Sequence, residues 1–190
     1  IVKGLGVTFT VTFFATLIGI ALGVIVAIIR SSHDTLNQEL EGYVGDDGTL
    51  KTIDELLTAS AVYMQTQNAQ DTAGHLETIA ASVNVEETSE AFQNLYHILR
   101  DTIGPELATT YYSDGLASYH SEDFATAVEL LTKAVYYDST NAESLYYLGQ
   151  AYRRMDDREN AIMIYERVVE MFPGTQNALN AQRYLEELKQ

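Results

Sequence analysis

The chain contains no cysteine, which excludes disulfides, thiolate metal sites and cysteine nucleophiles. It has only two prolines, Pro105 and Pro173, so most of the sequence is free to form long helices. It also lacks an HExxH pair of histidines, a glycine-rich phosphate loop and a serine in a nucleophile-elbow motif. We therefore expect a protein that is not an enzyme and has neither a cofactor nor a bound metal.

Acidic residues are absent from residues 1–30 and abundant in the rest of the chain. The whole chain carries 27 Asp and Glu against 11 Lys and Arg, for a formal net charge of −16. A surface of this sign repels nucleic acid and anionic lipid headgroups, so we do not expect polyanionic partners. Hydrophobic residues make up 46% of the chain, including 13 Tyr and 6 Phe, which is enough for a packed core.

The longest uncharged run extends from Gly4 to Ile29 and is bounded by Lys3 and Arg30. A helix of this length rises about 39 Å, whereas the hydrocarbon core of a bilayer is roughly 30 Å thick. The apolar region of a cleaved signal peptide is shorter, about 7–15 residues. The run therefore predicts a transmembrane helix over residues 1–30 and a single-pass membrane protein. One basic residue at each end does not determine on which side of the membrane the rest of the chain lies.

Small residues recur every four positions along this run, at Ala15, Gly19, Gly23 and Ala27. Such a stripe lets two helix backbones approach closely, so it is a candidate helix-association surface and a route to a homodimer. Small residues are, however, common in membrane helices generally. The run also resembles the first membrane helix of amino-acid ABC-transporter permeases. That resemblance implies an alternative function, a transport-associated fragment whose first helix belongs to a permease-like membrane assembly.

Residues 31–52 are polar and contain three glycines, a composition that predicts a short helical extension followed by a linker. Apolar residues then recur at helical spacing over residues 53–104, with Thr52 as the predicted N-cap. The first stripe consists of Ile53, Leu56, Leu57, Ser60 or Ala61, and Met64. These stripes predict one or more degenerate helical hairpins, which Gly104-Pro105 is expected to end.

The C-terminal part of the chain aligns with itself at a shift of 34 residues. The shift pairs Ala108 with Ala142, Tyr112 with Tyr146, Gly115 with Gly149, Asp123 with Asp157 and Ala127 with Ala161. The second copy reads Leu145-x-x-Leu148-Gly149-x-x-Tyr152, then Ala161-x-x-x-Tyr165, then Pro173. This motif and its period resemble the tetratricopeptide-repeat family. The first copy departs from the pattern, because Ser118 stands where Tyr is expected and Ser139 where Pro is expected.

The resemblance implies an all-α fold, in which a right-handed superhelix of helix-turn-helix repeats follows the transmembrane helix. Two repeats and a C-terminal capping helix would occupy residues 105–190. Gly149 and Ala161 would lie where the two helices of a hairpin cross closely, and Pro173 would end the second helix. The resemblance also implies a protein or peptide partner, because tetratricopeptide proteins bind such ligands.

In that family the first helix of each hairpin lines a concave groove. Carried over by position, the predicted peptide-binding groove consists of Tyr112, Tyr119, Tyr146, Tyr147, Gln150, Arg153, Arg154, Asn180 and Tyr184. Tyr and Arg are frequent at binding hot spots, although tyrosines also pack between helices. The leading prediction is a membrane-anchored scaffold that binds a protein partner through this groove.

Overall fold

The computed structural model describes the backbone of residues 2–41 and 47–189, and the side chains of residues 20–40 and 48–189. The described residues form eight α-helices and a short 3-10 helix, Val85–Glu87, with no strand among them. The α-helices are α1 (Val2–Glu41), α2 (Asp47–Thr66), α3 (Ala69–Ser82), α4 (Glu90–His120), α5 (Phe124–Tyr137), α6 (Ala142–Arg154), α7 (Arg158–Met171) and α8 (Gln176–Leu188). The predicted all-α class is confirmed for these residues.

Contacts divide the chain into two compact units, Ile1–Ile103 and Gly104–Gln190. In the first unit, α1 packs against α2 and α2 packs against α3. Its core contains Ile29, Leu36, Leu56, Ala59, Tyr63, Ala73, Leu76, Ile79, Leu95 and Leu99. The apolar spacing that predicted paired helices in this region therefore corresponds to buried helix faces.

Helix α1 is continuous over 40 residues, so the predicted transmembrane segment and its polar extension form one helix. On this helix Ile29 and Leu36 are fully buried, whereas Ile20 and Val24 are exposed. Within the described part of the chain, no helix is both long enough and apolar enough to cross a membrane. Residues 1–19 of the predicted transmembrane segment lie outside the described side chains.

Helix α2 begins at Asp47, inside the segment predicted to be a linker. Thr52 is not the N-cap. It lies within α2, where its Oγ1 donates to the carbonyl of Gly48 at 2.9 Å. Of the predicted stripe of α2, Ile53, Leu56 and Ser60 are buried and Leu57 and Met64 are half-buried, whereas Ala61 is exposed; the buried face also includes Ala59 and Tyr63.

Helix α4 continues through Gly104-Pro105, where the sequence predicted a helix end. Proline inside a helix costs about 3 kcal/mol, since it removes a hydrogen bond and crowds the preceding turn. Part of that crowding falls on the Cβ of the residue before proline, and Gly104 has none. Ile103 and Leu107 are both buried, and burying each side chain contributes about 1.5–3 kcal/mol, which offsets the penalty.

In the second unit, α5 packs against α6, α6 against α7, and α7 against α8. Four side chains cap the helices by accepting hydrogen bonds from backbone N–H groups, namely those of Asp123, Asn141, Asp157 and Thr175. The two Asp caps are 34 residues apart, as are the Asn and Thr caps, so the helix starts follow the repeat period. Helix α8 therefore begins where a third repeat would begin.

The two repeat glycines lie at close helix crossings. A Cβ on Gly115 would lie 2.8 Å from Cγ of Leu131, and a Cβ on Gly149 would meet the ring of Tyr165. The core around them contains Ala127, Leu131, Leu145, Leu148, Ala151, Ala161, Tyr165, Val168, Ala181 and Leu185. Small residues thus allow each pair of helices to approach, while Leu131 and Tyr165 fill the space between them.

Candidate functional site

The predicted groove residues all lie in the second unit. Tyr112 and Tyr119 belong to α4, the central five to α6, and Asn180 and Tyr184 to α8. Gln150 is buried, at 5% exposure, while the tyrosines of the set are half-buried and Arg154 is exposed. Most of them belong to two clusters, which meet where the rings of Tyr146 and Tyr147 pack edge-on with centroids 5.6 Å apart.

The first group centres on Gln150 of α6. Its Nε2 donates to the hydroxyl of Tyr146 at 2.7 Å, and its Oε1 accepts from Nη2 of Arg153 at 3.2 Å. The guanidinium carbon of Arg153 lies 4.3 Å from the ring centroid of Tyr184, a cation–π contact. Together with Tyr165 these residues form the Tyr184 cluster, defined as Tyr146, Gln150, Arg153, Tyr165 and Tyr184.

Tyr165 forms the floor of the Tyr184 cluster. Its ring is fully buried and stacks on that of Tyr184, with centroids 5.6 Å apart and an angle of 25° between the rings. The Tyr165 hydroxyl and Nε of Arg153 are both buried, and neither has a hydrogen-bond partner among the described residues. The charge of Arg153 nevertheless acts on that hydroxyl electrostatically. The cluster therefore contains more hydrogen-bond donors than acceptors.

Arg183 also contacts this cluster, although sequence reasoning missed it. Its guanidinium carbon lies 4.9 Å from the ring centroid of Tyr184. It immediately precedes Tyr184 in α8 and is not one of the positions that the family resemblance assigns to the groove. In the sequence, this contact was indicated only by the position of Arg183 next to Tyr184.

The tyrosine pKa values reflect this environment. Burial raises the pKa of Tyr165, and the charge of Arg153 partly opposes that effect. Burial also raises the pKa of Tyr146. By contrast, the Gln150 amide, which donates to the phenolate, lowers the pKa of Tyr184, and the guanidiniums of Arg183 and Arg153 lower it further. The surface around Tyr184 thus favours negative charge.

The second group is the Tyr147 cluster, defined as Tyr119, His120, Phe124, Tyr147 and Arg154. The ring of Tyr147 packs edge-on against Tyr119, with centroids 5.5 Å apart, and Tyr119 packs at the same separation against Phe124. These contacts join the end of α4 and the start of α5 to α6 through aromatic rings. Tyr147 and Tyr119 are therefore partly engaged in packing between helices.

Arg154 belongs to this second group and does not join Arg153. Its guanidinium carbon lies 4.6 Å from the ring centroid of Phe124, and its Nη2 is 3.7 Å from Oε1 of Glu122. Adjacent residues on a helix project about 100° apart, which explains why the two arginines diverge. Arg154 thus has both an aromatic and an acidic partner within its own unit.

The remaining groove residues make local contacts. The hydroxyl of Tyr112 donates to Oε2 of Glu143 at 2.8 Å, and burial together with Glu143 raises the pKa of Tyr112. Oδ1 of Asn180 accepts from Nε2 of Gln176 on the same helix, at 3.1 Å. Tyr112 is thereby separated from the Tyr184 cluster, whereas Asn180 lies near it and interacts with the hydroxyl of Tyr146.

The predicted helix-association stripe is only partly described. Gly23 and Ala27 are exposed, and a Cβ on Gly23 would meet no atom within 4 Å. Ala15 and Gly19 lie outside the described side chains. In the parts of the chain with described side chains, no group of three or more His, Asp or Glu residues could hold a metal ion.

Residues 143–175 match the family model of the tetratricopeptide repeat. The match covers α6, α7 and the turn that leads to α8, and it confirms the predicted family resemblance for this segment. Tetratricopeptide repeats generally bind protein partners. No curated protein matches the chain, and neither membrane anchoring nor the permease resemblance gains support from these comparisons.

Proposed function

We propose that the protein is a scaffold without enzymatic activity, anchored to a membrane by residues 1–30, that binds a protein partner through the second unit. The observation that carries the partner-binding role is the tetratricopeptide repeat at residues 143–175. Repeats of this kind present the first helix of each hairpin to a ligand, and in this chain those helices carry the Tyr184 cluster.

The composition of the predicted groove supports this role. Tyr146 and Tyr184 are half-buried, and contacts with Gln150, Arg153 and Tyr165 hold them in place, so both contribute to a surface that is already ordered. A partner that contacts ordered aromatic side chains loses less conformational entropy on binding than one that must order flexible side chains. We place the centre of the groove at Tyr146, Gln150, Arg153, Asn180 and Tyr184. Tyr112, Tyr119, Tyr147 and Arg154 form its flank towards α4.

The partner-binding role is tested by affinity capture from lysates of cells that make the protein. Tyr184→Ala removes the half-buried ring at the centre of the groove, and Met163→Ala, a residue of α7 that is 55% exposed, is the matched control. We expect capture of a specific partner by the native chain and by Met163→Ala, and loss of that partner with Tyr184→Ala. Retention by Tyr184→Ala, with its helical circular dichroism unchanged, would place binding elsewhere.

Membrane anchoring is proposed from the uncharged run Gly4–Ile29 and from the exposed apolar side chains at its end. Ile20 is 59% exposed and Val24 is 53% exposed, and contiguous exposed apolar surface marks contact with a lipid or a protein. The run also contains the stripe through which we propose helix association and a homodimer. The side of the membrane occupied by the second unit stays open.

Vesicle flotation tests the anchor. The full chain should float with phosphatidylcholine vesicles and resist carbonate extraction. Ile20→Arg combined with Val24→Arg should reduce flotation, because an Arg in a membrane helix is unfavourable, by up to about 2.5–3.5 kcal/mol at the helix centre. The control is Thr58→Arg, which adds a charge at an exposed position of α2. A native chain that stays in the aqueous fraction would exclude the anchor.

A further inference from the structure

We infer that Arg153 and Arg183, which both contact the ring of Tyr184, form an anion subsite that receives the acidic side chains of a partner protein. This deepens the proposed function and rests on it, since it names the chemistry of the ligand that the groove binds. The carboxylates would come from Asp or Glu side chains of an extended acidic segment.

Two cations share one aromatic ring at this site. The guanidinium carbon of Arg153 lies 4.3 Å from the ring centroid of Tyr184, and that of Arg183 lies 4.9 Å from the same centroid. The cation–π contacts hold both side chains in place, but they do not neutralise either charge. The site is therefore a local concentration of positive charge in a chain whose net charge is −16.

Neither of these arginines forms an ion pair with a carboxylate of the described residues. Three other cations of the second unit are paired, Arg154 with Glu122, Lys189 with Glu166 and Lys133 with Glu129, whereas Arg158 and Arg167 are also without an ion pair among the described residues but have no arginine beside them on a shared ring. Acidic residues outnumber basic ones two to one over residues 104–190, so carboxylates are abundant in this unit. Two neighbouring arginines that have no acidic partner in such a unit are available to an external anion.

The hydrogen bonds of the site indicate the same kind of ligand. Nε of Arg153 is buried without a well-aligned acceptor, its interaction with the buried hydroxyl of Tyr165 is mainly electrostatic, and Gln150 uses its amide N–H on Tyr146. A buried donor without an acceptor is costly, so a ligand that supplies acceptor oxygens nearby is favoured. The lowered pKa of Tyr184 agrees with a positive local potential.

Acidic side chains fit this site better than other anions. A guanidinium is planar and binds a carboxylate through two parallel hydrogen bonds. The two guanidiniums contact one ring from separate positions, so successive acidic side chains of an extended segment can each pair with one of them. The net charge of −16 repels nucleic acid and other long polyanions. A short acidic segment is acted on mainly by the positive charges of Arg153 and Arg183.

Defined peptides test this chemistry on the full chain in nonionic detergent. The probes are three hexapeptides: hexaglutamate blocked at both ends, hexaglutamine blocked at both ends, and hexaglutamine with a free C-terminal carboxylate. Inorganic phosphate is the fourth probe. Calorimetry gives the affinity, and the Nε–Hε signals of Arg153 and Arg183 in nitrogen-15 NMR spectra report the site.

We expect hexaglutamate to bind and to shift both arginine signals, while blocked hexaglutamine does neither. Arg183→Gln should weaken hexaglutamate binding about tenfold, which corresponds to about 1.4 kcal/mol. The exposed side chain of Arg183 can be replaced without disturbing the core, so this variant is expected to fold. Arg158→Gln, which removes the same charge from an exposed position of α7, should leave binding unchanged.

The other outcomes would overturn the subsite in different ways. Equal binding of blocked hexaglutamine at the same signals would keep the groove and the proposed function but exclude recognition of carboxylates. Binding of only the peptide with a free C-terminus would assign the site to a chain end, and stronger binding of phosphate would assign it to phosphoryl groups. If no probe shifts the arginine signals, the anion subsite is wrong, while partner capture still decides the proposed function independently.

Discussion

Gly149 faces the ring of Tyr165 so closely that a Cβ on Gly149 would lie 2.7 Å from Cε1 of Tyr165. The ring is fully buried and stacks on Tyr184, so it cannot move aside without disturbing the core. We therefore predict that Gly149→Ala lowers the free energy of unfolding by about 1–3 kcal/mol, the usual cost of overpacking. Urea denaturation followed by circular dichroism measures this change.

Gly74 provides the control for that substitution. It lies in the middle of α3, and a Cβ there would meet no atom within 4 Å. Gly74→Ala should therefore raise the free energy of unfolding by about 0.8–1.0 kcal/mol, because alanine has the higher helix propensity and meets no neighbour. If Gly74→Ala and Gly149→Ala lower the free energy of unfolding by similar amounts, then the close contact with Tyr165 is not the reason that Gly149→Ala is destabilising.

The N-cap of α6 supplies a second prediction. Oδ1 of Asn141 accepts from the backbone N–H groups of Glu143 and Ser144, at 3.0 and 2.9 Å. Asn141→Ala leaves these two donors uncapped and should cost about 0.5–2 kcal/mol of stability. Ser139→Ala changes an exposed residue of the same turn and should have no such effect. Thermal unfolding of the two variants makes the comparison, and equal midpoints would argue against a stabilising cap.

Stability at alkaline pH depends on Tyr165. Burial raises its pKa in the folded state above the value of about 10 found in unfolded chains. Folding thus favours the neutral hydroxyl, and this contribution is complete below about pH 10 and is lost as the pH rises through the folded-state pKa. Tyr165→Phe removes the ionisable group, so its melting temperature should fall less steeply than that of the native chain as the pH rises above about 10.

The exposed Tyr136 is the control for this pH dependence. Tyr136→Phe removes one tyrosine hydroxyl without changing the core, and its melting temperature should follow that of the native chain across the alkaline range. If Tyr165→Phe also follows the native chain, then the buried hydroxyl does not control alkaline unfolding.

Arg153 and Arg154 should behave differently although they are neighbours. Arg154 contacts Phe124 and Glu122, and exposed pairs of this kind contribute under about 1 kcal/mol. We predict that Arg154→Ala, on the flank of the groove, slightly lowers stability and reduces partner capture less than Arg153→Ala does. If instead Arg154→Ala abolishes partner capture and Arg153→Ala changes only the melting temperature, the binding surface lies at the Tyr147 cluster.

The helices that the repeat predicts are those that the structure contains, for a physical reason. In a helix hairpin, Gly149 and Ala161 are small enough for the two helices to cross closely, and Tyr165 is large enough to fill the space between them. The spacing of these three residues therefore identifies the hairpin. Outside the repeat the pattern was less specific. In α2, small residues at Ala59, Ser60 and Ala61 do not define which face is buried, and α2 packs against both α1 and α3 with Ala59 and Ser60 buried.

Two features depended on tertiary contacts that a sequence pattern does not contain. Pro105 was predicted to end a helix, but the missing Cβ of Gly104 and the burial of Ile103 and Leu107 let α4 continue. The contact of Arg183 with Tyr184 depends on the direction of a long flexible side chain, which family positions do not specify. The tyrosine positions of the groove could be predicted, whereas the pairing of its arginines could not.

The matching register of the caps has a consequence for how such a chain can lengthen. Asn141 and Thr175 begin α6 and α8 at equivalent points of the repeat, so α8 occupies the place of a first helix in a further hairpin. A tandem duplication of the gene segment for residues 142–175 would therefore insert one more hairpin in frame. Each junction would reproduce an existing helix–helix contact, so the array can grow by whole repeats without redesign of its end.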